Sequence, residues 1–168
     1  MTTPRPNQLS RQLAKFSGLP DALRPSLVSF LLGQIVPLVG TARLRFEEVS
    51  SQRVVVSIRN RRRVQNHIKG VHAAAMALLA ETATGFCVGM NLPDDKLPLI
   101  KTLRVDYLKR AQGDMRAVAQ LTPQQIEQIL TLDKGEVTVP VSITDDTGQE
   151  PIACEMVWAW VPKQRKPA

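Results

Sequence analysis

Residues 71–83 constrain this chain most, because they combine strong helical propensity with apolar side chains on nearly every face. The run contains no proline and is rich in alanine. A helix that is apolar all round is normally buried, and alanines allow neighbouring backbone to approach it closely. The pattern therefore predicts a buried central helix from Val71 to Val88, with a sheet wrapped around it.

Glu81 is the one carboxylate inside this run, and His72 stands at its start. A carboxylate in apolar surroundings is costly unless it is paired or used, so Glu81 is the first candidate for a functional residue. The alternative is a structural carboxylate satisfied by Thr82, Thr84 or the preceding loop. A membrane span is disfavoured, because Glu81 would lie near the bilayer midplane.

Length and cysteine content favour one domain that needs no disulfide bond or structural metal. A chain of 168 residues can bury a core by itself. Cys87 and Cys154 lie inside apolar segments with no metal-type spacing, which predicts reduced core residues, no metal site and no cofactor. The N-terminus has no leader-like apolar segment, so we expect a cytoplasmic protein without a membrane partner.

The formal net charge of +7 points to an anionic partner. Aromatic residues make up only 4% of the chain and no nucleic-acid-binding motif is present, so nucleic acid is disfavoured and a phosphorylated small molecule is expected. The basic cluster beside the central helix is a candidate phosphate site, formed by Arg61, Arg62 and Arg63. A solvated basic turn, or nucleic-acid binding through residues 59–63, remains an alternative.

Hydrophobic periodicity divides the chain into a helical extension (1–40), a main domain (41–161) and a basic tail (162–168). Two helices are predicted in the extension, the second ending at Pro37 and Gly40. Alternating residues predict six strands and one further helical turn after Thr122. The strands are 42–49, 54–58, 98–109, 115–121, 136–144 and 151–161. Antiparallel strands wrapped around a central helix indicate an α+β fold.

The residues that could carry chemistry gather where the loop meets the central helix: Asn66, His67, Gly70, His72 and Glu81. The segments Asn66-His67-Ile68-Lys69-Gly70-Val71-His72-Ala73-Ala74 and Leu79-Ala80-Glu81 resemble the signature of hotdog-fold acyl-CoA thioesterases of the phenylacetyl-CoA thioesterase type. In that family an Asn is followed six positions later by a His and nine positions after that by an acidic residue. The helical extension resembles that of an uncharacterised bacterial branch.

The resemblance implies a hotdog fold that hydrolyses an acyl-CoA thioester to a free acid and CoA. Glu81 would act as general base or as nucleophile, with Asn66 orienting water or substrate. The backbone of Gly70 and Ala73 would polarise the carbonyl, and His72 and His67 are candidate substrate contacts. Three departures from the family pattern are Ala73-Ala74 for Gly-Gly, Glu81 for Asp, and His67 for Gly.

Two alternatives stay open at this point. A hotdog dehydratase acting on a hydroxyacyl thioester would pair His67 with Glu81, whose separation matches that class. A non-catalytic acyl-CoA-binding protein would use Glu81 only structurally.

The spacing of His72 and Glu81 predicts how subunits assemble. They are nine residues apart, which on a helix is about 900° of rotation and about 13 Å of rise. One carbonyl cannot readily touch both from the same chain. We therefore expect a site shared in a homodimer, or in a dimer of dimers forming a homotetramer.

Overall fold

The computed structural model describes residues 6–164. Most of the predicted basic tail and the first five residues lie outside this range. The helices are α1 Gln8–Ala14, α2 Arg24–Ile35, α3 Pro37–Ala42, α4 Ala73–Gly89 and α5 Pro123–Thr131. The strands are β1 Arg45–Val49, β2 Arg53–Ile58, β3 Lys96–Tyr107, β4 Met115–Gln120, β5 Gly135–Thr138, β6 Val141–Asp145 and β7 Ile152–Pro162.

Helix α4 is the longest helix within residues 6–164. His72 is its N-cap, and the His72 Nδ1 atom accepts a hydrogen bond from the N–H of Ala74 at 3.1 Å. Its buried face includes Met76, Leu79 and Cys87, which join the hydrophobic core. The helix packs against strands of both sheets, but it begins at Ala73 instead of Val71, and Ala73 and Ala74 are exposed, so it is not buried all round. None of the helices within residues 6–164 is long and apolar enough to cross a membrane.

The α+β class is confirmed, but the prediction of a single six-stranded sheet is wrong. Residues 6–164 contain seven strands in two antiparallel sheets, ordered β1-β2-β4-β6 and β3-β7-β5. The predicted strand 136–144 is divided at Val139 and Pro140. Its first half, β5, pairs with β7, and its second half, β6, pairs with β4. Proline has no N–H to continue a ladder, so the chain changes sheets at this point.

The helical extension packs on the domain instead of standing apart from it. Proline at position 37 begins α3, where the sequence pattern had predicted that the second helix ends. Helix α2 lies along the outer edge of β1, and the Ser29 hydroxyl accepts a hydrogen bond from the N–H of Phe46 at 2.8 Å. This contact occupies a backbone donor that an edge strand would otherwise expose.

Helix α1 is tied to the end of α4 by one side chain. The Asn7 amide donates to the carbonyls of Gly89 at 2.7 Å and Leu92 at 2.8 Å, and Asn7 itself is buried. Arg11 and Asp94 add an exposed ion pair at 2.9 Å, which contributes little by itself. The buried amide therefore fixes α1 in place.

Close packing of α4 against Trp158 of β7 depends on the absence of a side chain at position 85. A Cβ atom at Gly85 would lie 2.6 Å from the Cζ2 atom of Trp158, whereas at Gly89 the nearest atom is Leu9 Cδ2 at 3.6 Å. We expect Gly85→Ala to lower the free energy of unfolding by about 1–3 kcal/mol through overpacking. Gly89→Ala, on the same helix, should be neutral or slightly stabilising. Urea unfolding of the two variants measures this, and equal stability would contradict the packing described.

Candidate active site

Glu81 opens onto a cleft of about 500 Å³ beside the middle of α4. The cleft lies between α1, the α2–α3 junction, α4, the start of β3 and the end of β7. Its apolar wall includes Val39, Phe86 and Trp158. A half-buried carboxylate thus borders an apolar space that could hold a small acyl group.

Burial raises the pKa of Glu81 above its ordinary value, and the neighbouring Thr82 hydroxyl opposes this shift only in part. None of the ion pairs formed within residues 6–164 involves Glu81. The buried Thr82 Oγ1 atom makes no hydrogen bond of ordinary geometry there. A carboxylate that lacks a counter-ion and carries a raised pKa is suited to accept a proton near neutral pH.

Two aromatic contacts hold the cleft wall in position. The Trp158 indole donates from Nε1 to Thr84 Oγ1 at 2.9 Å, which fixes the ring across α4. Phe86 meets Phe46 edge to face, with ring centroids 4.9 Å apart. Because both contacts join α4 to a strand, the position of the wall is set by the core.

Asn66 and Gly70 shape the loop that leads into α4. The Asn66 Oδ1 atom accepts hydrogen bonds from the N–H groups of Ile68 and Gly70, both at 3.1 Å. The N–H of Asn66 donates to the Gly70 carbonyl at 2.9 Å. Lys69 between them has a φ of 61°, so the turn is tight. In this structure the Asn66 side-chain oxygen is engaged by its own loop.

The start of α4 keeps one backbone donor available. No hydrogen bond formed among residues 6–164 uses the N–H of Ala73. Tyr107 at the end of β3 donates its hydroxyl to the Ala73 carbonyl at 2.9 Å and so fixes the helix start against β3. A free N–H at the positive end of a helix can bind a developing oxyanion.

The predicted site residues fall into three groups within one protomer. Asn66, Gly70, His72 and Ala73 come together at the start of α4, with exposed His67 on the same loop. Glu81 lies nine residues after His72 on α4 and lines the cleft. Arg61 and Arg63 line a second groove of about 910 Å³, while exposed Arg62 lies outside it.

Sequence patterns missed several residues that shape these spaces. Arg43 and Arg45 were missed; they line the second groove together with Arg59, Arg61 and Arg63 of the predicted basic segment, because β1 and β2 are neighbours. The N-terminal helices wall the Glu81 cleft, which the uncharged stretch 25–42 could have suggested. Within residues 6–164, no group of three His, Cys, Asp or Glu side chains could hold a metal ion.

Comparison with known proteins identifies a matching family and several solved structures of similar fold. The model of a family described as a domain of unknown function, DUF4442, matches residues 24–161. A Pseudomonas aeruginosa protein of unknown function, PA5026, described as a probable thioesterase, shares 22% identity over 82% of this chain and 95% of its own, with a TM-score of 0.74. No curated protein matches the sequence.

Two further solved structures agree in fold. A structural-genomics protein, APC5556, shares 27% identity over 92% of this chain and 99% of its own, with a TM-score of 0.71. The thioesterase HI1161 of Haemophilus influenzae shares 11% identity over 80% of this chain and 90% of its own, with a TM-score of 0.61. These structures share the hotdog-like fold that the sequence predicts.

The raised pKa of Glu81 predicts a pH-dependent cost to folding. Below the unfolded value of about 4.5, Glu81 is protonated in both states and costs nothing. As the pH rises through the folded pKa, ionisation opposes folding. We expect Glu81→Gln to have the higher melting temperature near pH 7, with the difference disappearing near pH 4.

Exposed Glu127 on α5 provides the matched control. Thermal unfolding of Glu127→Gln should track the wild type across the same pH range. If the melting temperature of Glu81→Gln exceeded that of the wild type by more at acid pH than at pH 7, the trend would have the wrong sign. It would refute the argument that burial raises the pKa of Glu81.

Proposed function

This chain belongs to the DUF4442 family, and we propose that within it the chain is a thioester hydrolase acting on acyl-CoA. The observation that carries the proposal is Glu81, a half-buried carboxylate with a raised pKa and no ion-pair partner within residues 6–164, at an apolar cleft. The thioesterase-like fold of the structural relatives supports the same reaction class.

In the proposed reaction Glu81 accepts a proton from water as the water oxygen attacks the thioester carbonyl carbon. The carbonyl oxygen gains negative charge and is stabilised by the Ala73 N–H at the start of a helix. The C–S bond then breaks, and the proton held by Glu81 passes to the leaving thiolate. Direct attack by the Glu81 carboxylate, giving an anhydride that water hydrolyses, is the second form of this mechanism.

The proposal requires Glu81 and the start of α4 to come from different subunits. Strand β3 is an unpaired edge within residues 6–164, and it exposes a row of apolar side chains. They are Leu97, Leu99, Ile100, Leu103 and Tyr107. The β1 edge of the other sheet is covered by α2 through Ser29. A bare apolar edge strand invites pairing with a second copy, so β3 is the expected dimer contact.

Antiparallel pairing of two β3 strands would assemble the site. The end of β3 contacts the start of α4 through Tyr107, whereas its beginning, at Lys96 and Pro98, lines the Glu81 cleft. A two-fold axis near the middle of β3 brings the end of one copy opposite the beginning of the other. The Ala73 N–H of one subunit would then face Glu81 of its partner, giving two shared sites per homodimer. A homotetramer would pair two such dimers.

The other predicted substrate contacts stay predictions. His72 acts here as a helix cap, and His67 lies exposed on the loop. A role for Arg61, Arg62 and Arg63 in binding the phosphates of CoA rests on charge alone. The dehydratase alternative would release a double-bonded acyl thioester without free thiol, so thiol detection separates the two reactions.

Loss of the Glu81 carboxylate is the first test of activity. Glu81→Gln preserves side-chain volume but removes the base, so we expect the rate of thiol release from an acyl-CoA substrate to fall at least about 100-fold. Glu127→Gln should retain full activity. A folded Glu81→Gln variant with wild-type turnover would remove Glu81 from the mechanism.

Subunit complementation tests the shared site. One parent carries Glu81→Ala, and the other carries Asn66→Ala with Gly70→Pro, which removes the loop hydrogen bond donated by the Gly70 N–H. Each parent should be nearly inactive. The purified mixed dimer has one site with both intact halves, so about half of the wild-type activity per dimer should return. Mixed dimers of confirmed mass that remain inactive would contradict sharing between subunits.

A further inference from the structure

Helix α2 is apolar on two faces, and only one of them is packed. Val28 and Leu32 face the core. Leu23, Leu27 and Phe30 lie at helical spacing on another face, with 56%, 42% and 69% of their surfaces exposed, and Leu38 at the start of α3 is 60% exposed. The stretch from 25 to 42 contains no charged residue. Exposed apolar side chains grouped in this way mark a surface with a partner.

The neighbouring groove carries charge of one sign. Phe30 lines it from α2, and five arginines line it from the end of α3, from β1 and from the segment after β2: Arg43, Arg45, Arg59, Arg61 and Arg63. No acidic side chain lines the groove. Within residues 6–164, none of the five takes part in an ion pair or a side-chain hydrogen bond. The groove therefore presents guanidinium groups with all their donors free.

Arg43 occupies a backbone position that favours glycine. It caps α3 with φ 54° and ψ 49°, in the left-handed region. Glycine is the usual residue at such a helix end, because a side chain there is strained. This chain has an arginine at this position, and Arg43 is one of the residues that line the basic groove. The strain would disappear in Arg43→Gly, together with one groove charge.

We propose that the exposed α2–α3 face and the arginine groove together dock on a bilayer surface that contains anionic phospholipids. The apolar residues enter the boundary between headgroups and acyl chains, and the guanidinium groups bind lipid phosphates. Neither a free phosphorylated metabolite nor nucleic acid would need the row of exposed leucine and phenylalanine side chains beside the charge. Docking at the interface requires no spanning helix.

The docked face adjoins the cleft that contains Glu81. Ile35, Val36 and Val39 of the α2–α3 junction line that cleft, while Gly33, Pro37 and Gly40 of the same helices line the arginine groove. One helical layer separates the two spaces. The inference does not depend on the chemistry of Glu81, because vesicle binding is scored without substrate.

Co-sedimentation of the full chain with vesicles tests this surface. We expect binding to phosphatidylcholine vesicles that contain phosphatidylglycerol, little binding to phosphatidylcholine alone, and release by high salt. Arg43→Gly with Arg45→Ser should weaken binding about 25-fold, at about fivefold for each arginine. The control Lys109→Ser with Lys134→Ser removes the same charge elsewhere and should bind like the wild type.

Separate variants test whether the exposed apolar side chains of α2 insert into the bilayer. Leu27→Ser with Phe30→Ser should also weaken vesicle binding. In Phe30→Trp, brominated lipid should quench the new indole, whereas native Trp158 and Trp160 are buried and should not respond. Circular dichroism melts should show all variants folded, with Arg43→Gly at least as stable as the wild type.

Four results would overturn the proposal. The first is equal binding to neutral and anionic vesicles, or no binding to either. The second is displacement of vesicles by inorganic phosphate or free CoA at low concentration, which would assign the groove to small phosphates. The third is displacement by short duplex DNA with the apolar variants unaffected. The fourth is a change in oligomeric state in the Leu27→Ser, Phe30→Ser variant without a change in vesicle binding.

Discussion

Close contact between α4 and the surrounding strands is the constraint on which the rest of the structure depends. Small residues on the helix let large side chains of the sheet cross it, as Trp158 does at Gly85. The burial that stabilises the helix also desolvates Glu81, which raises its pKa. Packing and chemistry therefore have a common origin, and the carboxylate is held by a rigid helix instead of a loop.

Edge strands β1 and β3, which belong to different sheets, differ in how they are covered, and this difference affects where partners can bind. The β1 edge is covered by α2, whose Ser29 satisfies a backbone donor, and the same helix leaves its outer face exposed. The β3 edge is bare and apolar. The helical extension thus protects one edge, forms a wall of the Glu81 cleft and presents a surface of its own.

The central helix and its carboxylate could be predicted from the sequence because their signals are local. The alanine-rich apolar run and the isolated charge at Glu81 are both contained in one stretch of chain. The division of the predicted strand 136–144 depends on Pro140, whose missing N–H was visible but whose change of sheet is a tertiary event. The docking of α1 depends on the Asn7 amide reaching carbonyls more than 80 positions away. The arginine groove likewise combines separate segments through strand pairing.

The central claim is that this protein hydrolyses thioesters. Incubation of the wild-type chain with a panel of acyl-CoA esters of increasing chain length, including aromatic acyl groups, tests it most directly, with released thiol as the readout. The account predicts enzyme-dependent thiol release with at least one member, together with an equal amount of free acid. Tight binding of acyl-CoA without release of thiol from any member of the panel would contradict it.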